Sequence, residues 1–388
     1  MINLVFPLGN QHGWGVCGWH LSQELARLGP ITLISDPFAL SELGDELEGM
    51  GLKGMWRDKK DFPAAACLGR PMLQPVNNLS FLPWEPALRG AFNAGYIFFE
   101  EEYISPQNRE NARRGFDLIV AGSSWCEKVL RQNGLTHTCA IAQGVNRRFF
   151  NPCQAQKTAL CDRFVVFSGG KFELRKGQDL VIRAFKVLQD RHADVLLVNA
   201  WANRWLDSLK SMAHSPHIEL RLGPDFISTI NQTLAGCGID LNRVVTLAPK
   251  PHPLMANIYK NTDVGVFPNR CEGGTNLVLM EYMACGKPAI ASDSSGHKDV
   301  AKAHNAILLT KLGKLKINRD GRQVAAWDEP DLEELVEKLE WAYQHAGAIG
   351  EIGQRAGESL KSFTWEAAAQ KFYHLLSDGA GQGQAAAV

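Results

Sequence analysis

Phe267–Asp299 reads FPNRCEGGTNLVLMEYMACGKPAIASDSSGHKD, and its reading decides the fold. The apolar run Asp263–Phe267 leads into it as a short buried strand. A polar loop, a helix-forming block Leu277–Ala284 and a Gly286-Lys287-Pro288 stop follow, and a second apolar strand, Ala289–Ser292, comes at once. Strand, helix and parallel strand make a right-handed βαβ unit of an open α/β sheet. Ligands of such sheets bind outside the carboxyl ends of the strands, where the loop Glu272-Gly-Gly-Thr-Asn276 falls. That loop also opens a helix. Its N–H groups lack intrahelical partners and point outward with the positive end of the helix dipole, a setting suited to a phosphate or diphosphate. Glu281 lies four residues past Leu277, so one edge of that turn faces the same crevice.

On the amino-terminal side, Phe164–Ser168 reads as a strand leading to Gly169-Gly-Lys-Phe-Glu-Leu-Arg-Lys-Gly177 and an amphipathic helix Gln178–Leu188. Cations between a strand's carboxyl end and a helix are placed to neutralise a diphosphate. Val195–Ala200, His217–Leu222, Val244–Leu247 and Ile307–Leu309 read as further strands, and Leu254–Tyr259 and Leu332–Gln344 as helices. Pro249-Lys-Pro-His-Pro253 is a stiff loop. Thr364, in Phe363-Thr-Trp-Glu366, is the N-cap of a last helix.

The central segment resembles the carboxylate-pair segment of retaining GT-B glycosyltransferases, in particular family 4 (GT4, glycosyl transferases group 1). Members carry a Glu, a glycine-rich turn, an apolar stretch, a second Glu and then Ala-Met-Ala-Cys-Gly-Lys-Pro. Here the closing part is Glu281-Tyr-Met-Ala-Cys-Gly-Lys-Pro288. Eight residues separate Glu272 from Glu281, one more than the family usually has. Either the turn holds an extra residue, which Gly273-Gly274 would allow, or Gly273 takes the first glutamate's place. Lys176-Gly177 matches the family's Lys-Gly pair. Lys171 is the candidate for the family's other diphosphate-binding cation, with Arg175 as a stand-in. Ala140–Pro152 resembles the family's strand and Gly-Val-Asp…Phe-x-Pro crossing, with Asn146 in place of Asp. The resemblance covers the second half well and the first only in outline.

The fold it implies is α/β of the GT-B kind: two Rossmann-like domains facing a central cleft, with a C-terminal helix crossing back to the first. The expected parts are an acceptor-binding domain at 1–155, a nucleotide-sugar-binding domain at 156–362, the returning helix at 363–377, and a loose tail at 378–388. The implied activity is retaining, metal-independent hexosyl transfer from a nucleotide-diphosphate sugar, with no cofactor. The acceptor is a hydroxyl of a glycan, lipid-linked sugar or small metabolite. Lys171 and Lys176 stabilise the departing diphosphate, and Glu272 contacts the donor sugar. Gly170, Arg175, Gly274 and the backbone of Thr275, Asn276 and Leu277 line the donor, and Glu281 binds ribose hydroxyls. No Asp-x-Asp pair offers a metal site. The family is thought to use same-face substitution, so no nucleophile is assigned.

The first half opens with a strand Ile2–Leu8, a glycine-rich stretch and a helix Trp19–Leu28. Gly13-Trp-Gly-Val-Cys-Gly18 is formally GxGxxG, and Asp36 lies eighteen residues beyond it, as in an NAD-dependent oxidoreductase. The strand ends too early for a dinucleotide turn, and a glycine-rich first loop also suits a GT-B enzyme. There Gly13 and Gly15 let backbone approach the ligand, with His12 as a polar contact. Ala94–Phe99 reads as a strand ending in Glu100-Glu-Glu102, and Glu100 is an acceptor-side candidate. Asp117–Gly122 is another strand, before a helix capped at Ser123.

Lys and Arg (41) balance Asp and Glu (41), so no global field draws nucleic acid or an anionic membrane. Membrane contact is expected to be peripheral at most, and oligomeric state is left open. Nine scattered cysteines without CxxC or zinc spacing suit reduced thiols in a cytoplasm. Besides NAD-dependent oxidation, the competing readings are a GT-B sugar-nucleotide epimerase or phosphorylase and a non-catalytic sugar-binding relative.

Overall fold

A computed structural model describes residues 1–9, 13–36, 45, 48–49, 51–63, 66–203 and 206–385. The chain divides into two compact units, Met1–Gly144 with Phe363–Val388, and Val145–Ser362. Residues 145–155, expected in the first unit, belong to the second. There Pro152 packs against Gly286, and the Ala155 carbonyl accepts from Lys287 Nζ at 3.3 Å.

In the first unit seven strands form one parallel sheet. Their order is Trp56–Asp58, Ile31–Ser35, Ile2–Val5, Met72–Pro75, Asn93–Ile97, Leu118–Ala121 and Thr138–Ala140. The final helix, Trp365–Ala385, packs along Gly13–Leu28. Thr364 Oγ1 caps it by accepting from Ala367 N at 3.0 Å, and the His20 ring stacks on Trp365 at 5.3 Å. The helix runs through Ala385, into the stretch expected as a loose tail. Gly379 lies so close to Phe92 that an added Cβ would stand 2.6 Å from the ring, which ties this end down.

The second unit holds six parallel strands in the order Val244–Thr246, Val195–Trp201, Phe164–Gly170, Val264–Phe267, Ala289–Ser292 and Ile307–Leu309. Apolar runs buried on both faces, such as Phe164–Phe167 and Val195–Val198, are what a helix-covered parallel sheet demands. Strand order reverses between Phe164–Gly170 and Val264–Phe267, and this is the unit's topological switch point.

Two features depart from expectation. His217–Leu222 is not a strand. Ser215 Oγ accepts from the N–H groups of His217 and Ile218, and Thr233 Oγ1 from that of Arg221, so side chains take the bonds a ladder would use. An antiparallel hairpin, Leu312–Arg319 with Arg322–Pro330, was not anticipated. Its turn, Asp320-Gly321, has φ of +50° and +74°, as a two-residue primed turn requires, and Asp-Gly is the sequence signal for one. No helix among the described residues is long and apolar enough to cross a membrane.

Candidate active site

Two loops leave the carboxyl ends at the switch point, 171–177 and 268–276. Gly177 joins them. Its φ is +72°, and a Cβ there would stand 2.1 Å from the Pro268 carbonyl oxygen. Arg270 N–H donates to the Arg175 carbonyl at 2.8 Å. The contact brings the basic loop onto Glu272, which is almost fully buried. Lys176 Nζ donates to Glu272 Oε1 at 2.6 Å, Arg175 pairs with Oε2 at 3.2 Å, and Asn269 Nδ2 also donates to Oε1. Arg175 pairs with Glu173 as well, at 2.7 Å. Burial works against the Glu272 charge, but Lys176 and Arg175 outweigh it and hold the carboxyl at about 2. Burial also lowers the Lys176 ammonium from the usual lysine value, by more than the facing carboxylate raises it.

Gly169 and Gly170 complete this corner. A Cβ on Gly169 would touch Val278 at 2.8 Å, so the strand end abuts the first turn of the helix Leu277–Ala284. Gly170, at φ +109°, lies beside the Lys176 side chain. Lysine, strand end and helix start therefore adjoin. The helix entry is held from behind. Asn276 has φ +62° and its amide donates to His297 Nε2 at 3.0 Å. His297 Nδ1 then donates to Ser292 Oγ at 3.3 Å, and Ser292 donates to the Asn269 carbonyl at 2.5 Å. This chain requires a neutral imidazole, and burial does push His297 down to about 4. Gly296 N–H donates to the Glu272 carbonyl at 3.1 Å, and a Cβ at Gly296 would stand 1.7 Å from the Gly274 carbonyl oxygen. Thr275 is buried with its hydroxyl on Met280 Sδ.

Beneath the loop lies a second ion cluster. Arg270 is wholly buried, paired bidentately with Asp179 at 2.8 Å and with Glu329 from the hairpin. It also donates to the Leu174 carbonyl at 2.5 Å. One turn into the helix, Glu281 is buried, and its Oε1 accepts from His252 Nε2 at 2.5 Å.

The structure gathers Arg175, Lys176 and Glu272, and puts Gly170 and the helix start at their side. Lys171 is half-buried at the head of the loop, its carbonyl accepting from Gln178 Nε2. Arg175, ranked behind Lys171 on sequence, pairs with Glu272 beside Lys176. Gly13 and Gly15 open a helix. They lie with Gly18 inside the helix Gly13–Leu28, so GxGxxG is no dinucleotide turn. Gly18 instead allows close packing, since a Cβ there would meet the Pro7 carbonyl at 2.3 Å. Asp36 accepts from Lys59 at 3.1 Å. Glu100 is half-buried just past the carboxyl end of Asn93–Ile97. His12 lies outside the described residues. The sequence reading names neither His252 nor His297 as site residues. Only their loops signalled them, one between prolines and one after the second strand.

Residues 162–340 match the family model for glycosyl transferases group 1. This part of the chain is similar to that family. The chain is 29% identical over 245 residues to D-inositol 3-phosphate glycosyltransferase 1 of Catenulispora acidiphila, covering 61% of this chain and 53% of that protein. It is 24% identical over 200 residues to a GDP-mannose-dependent alpha-(1-6)-phosphatidylinositol dimannoside mannosyltransferase of Mycobacterium tuberculosis, 50% of this chain and 46% of the relative. The chain thus spans about half the length of the curated relatives it matches. Among solved structures it resembles sucrose-phosphate synthase from Thermosynechococcus elongatus, with TM-score 0.67, 17% identity and coverage of 97% and 98%. It also resembles Anabaena Alr3699/HepE in complex with UDP and glucose, with TM-score 0.64, 15% identity and coverage of 97% and 100%. At these identities the likeness shows the fold, which is GT-B.

Proposed function

We propose that this protein is a retaining, metal-independent glycosyltransferase of the cytoplasm. It moves a sugar from a nucleotide-diphosphate sugar to a hydroxyl of a carbohydrate, glycolipid or small-metabolite acceptor. One observation carries the reading: Lys176 and Arg175 converge on Glu272 at the switch point, beside the open start of the helix that bears Glu281. The names of the relatives, and the UDP and glucose of the HepE complex, support a nucleotide-sugar donor.

In this mechanism the diphosphate competes with Glu272 for its cations. Lys176 and Arg175 turn to the phosphates, and the N–H groups of Thr275, Asn276 and Leu277 complete the cradle. Glu272, relieved of both cations, accepts from sugar hydroxyls, and the doubled glycine absorbs the extra residue of its turn. As the anomeric bond breaks, charge grows on the leaving diphosphate, where the preorganised donors lower the barrier. Glu281 receives the ribose hydroxyls.

Thermal shift with UDP, GDP, ADP, their sugar conjugates and NAD is the test. Stabilisation by one nucleoside diphosphate, reduced in Lys176→Ala and Glu281→Ala, is expected. Stabilisation by NAD alone, indifferent to both substitutions, would overturn the reading.

A further inference from the structure

We infer that His252 is the positioning residue for the nucleotide end of this site, holding the Glu281 carboxylate ready for the ribose hydroxyls. The inference rests on the donor-site reading above and names what sets its ribose contact. Glu281 is buried on the helix Leu277–Ala284, and a carboxylate so far from water needs a partner. His252 Nε2 supplies one, 2.5 Å from Oε1. Among the described residues the other oxygen meets the Tyr259 hydroxyl at 3.5 Å, a long contact that leaves Oε2 able to accept from a ligand.

The histidine is itself fixed from three sides. Its neighbours Pro251 and Pro253 restrict the backbone, and the Leu254 N–H donates to the Pro251 carbonyl at 3.0 Å to close the turn. The Phe150 ring lies 5.0 Å from the imidazole, brought by the segment that begins the second unit. An imidazole locked by prolines and an aromatic ring is a rigid donor. A rigid donor fixes the rotamer of the carboxylate it holds.

The pair is also sensitive to pH. Burial disfavours the imidazolium, but the facing Glu281 carboxylate outweighs it and raises His252 above the ordinary 6.5. The other groups around Glu281 are the Tyr259 phenol, pushed up by burial, and the Cys285 thiol, pushed up to about 12 by burial. Both stay neutral near pH 7, so His252 is the group of this cluster that changes charge there. Below its raised value the pair is ionic and the anchor strongest. Nucleotide affinity therefore falls as pH rises through that value.

The test is calorimetric titration of the stabilising nucleoside diphosphate and its 2′,3′-dideoxy analogue into wild type, His252→Ala and His252→Gln at several pH values. His252→Ala is expected to weaken the ribonucleotide on the order of tenfold, the worth of one charge-assisted hydrogen bond. It should leave the dideoxy analogue nearly unchanged, because the hydroxyls that read Glu281 are gone. His252→Gln keeps a donor, so it should recover part of the affinity and lose the pH dependence. Thermal unfolding without ligand separates a folding defect from a binding one. Equal weakening of both nucleotides, or ribonucleotide binding that His252→Ala leaves unchanged, overturns the inference alone. No binding of any nucleotide to wild type overturns the donor-site reading together with it.

Discussion

Arg270 and Glu272 stand two residues apart on one loop, and the ion clusters around them are built in opposite ways. Arg270 and Asp179 are both 0% exposed, and each donor of the guanidinium has an acceptor in Asp179, Glu329 or the Leu174 carbonyl. Burial works against the arginine charge, yet the two carboxylates raise its pKa further above the usual value. Around Glu272 two cations converge on one carboxylate, Arg175 pairing with Glu173 as well, and Lys176 and Arg175 keep 10% and 15% of their side chains exposed. Burial pushes the Lys176 ammonium down. A satisfied, dry cluster is a fastening. A crowded one, in reach of water and with two cations drawn to one loop, is where an anion gains by entering.

The sharpest way to break this contrast is Arg270→Met. It strands Asp179 without its cation and should cost about 3–5 kcal/mol of stability, measured by urea unfolding. A loss below about 1 kcal/mol would mean the cluster is no fastening. Lys176→Ala should do the reverse, weakening nucleoside diphosphate binding by roughly a hundredfold, the scale of one preorganised donor to a developing anion. Its melting temperature should fall less than that of Arg270→Met, because Arg175 and Asn269 still serve Glu272. If the two variants exchanged phenotypes, the assignment of roles would be reversed.

The smallest effect is on acid stability. Glu272 and His297 both have depressed values, about 2 and about 4. A depressed group contributes stability that is full above its unfolded value and lost as pH falls through its folded one. His297 loses its share from about 6.5 down to 4, and Glu272 from about 4.5 down to 2. His252 has the opposite sign, stabilising below 6.5 and losing that share as pH rises through its raised value. Unfolding free energy against pH should therefore decline below 6.5 in wild type, with a shallower decline between 6.5 and 4 in His297→Asn. An unchanged slope in that variant would remove His297 from the account.

Much of the second unit was legible because its signals are local. Leu277–Ala284 and Leu332–Gln344 coincide with their expected ranges, since apolar periodicity and the Gly286 stop act within a few residues. His217–Leu222 misled because alternating apolar residues say nothing about where backbone bonds go, and Ser215 and Thr233 had claimed them. Gly13-x-Gly15-x-x-Gly18 is ambiguous for a related reason. The same glycines serve a turn or a close-packed helix, and only the approach of Pro7 to Gly18 decides between them.

The sequence alone determined the alternation of strand and helix, the loop bearing Glu272, and the basic run 171–176 that faces it, because each follows from residue type and short-range order. The tertiary structure decided the pairings. Arg175 lies with Lys176 against Glu272, Glu329 arrives on Arg270 from a hairpin fifty-nine residues away, and His252 meets Glu281 across twenty-nine. Spacing along the chain does not encode such contacts. They arise when parallel strands bring distant loops to one end of a sheet, and the ions brought there must find partners or leave the interior.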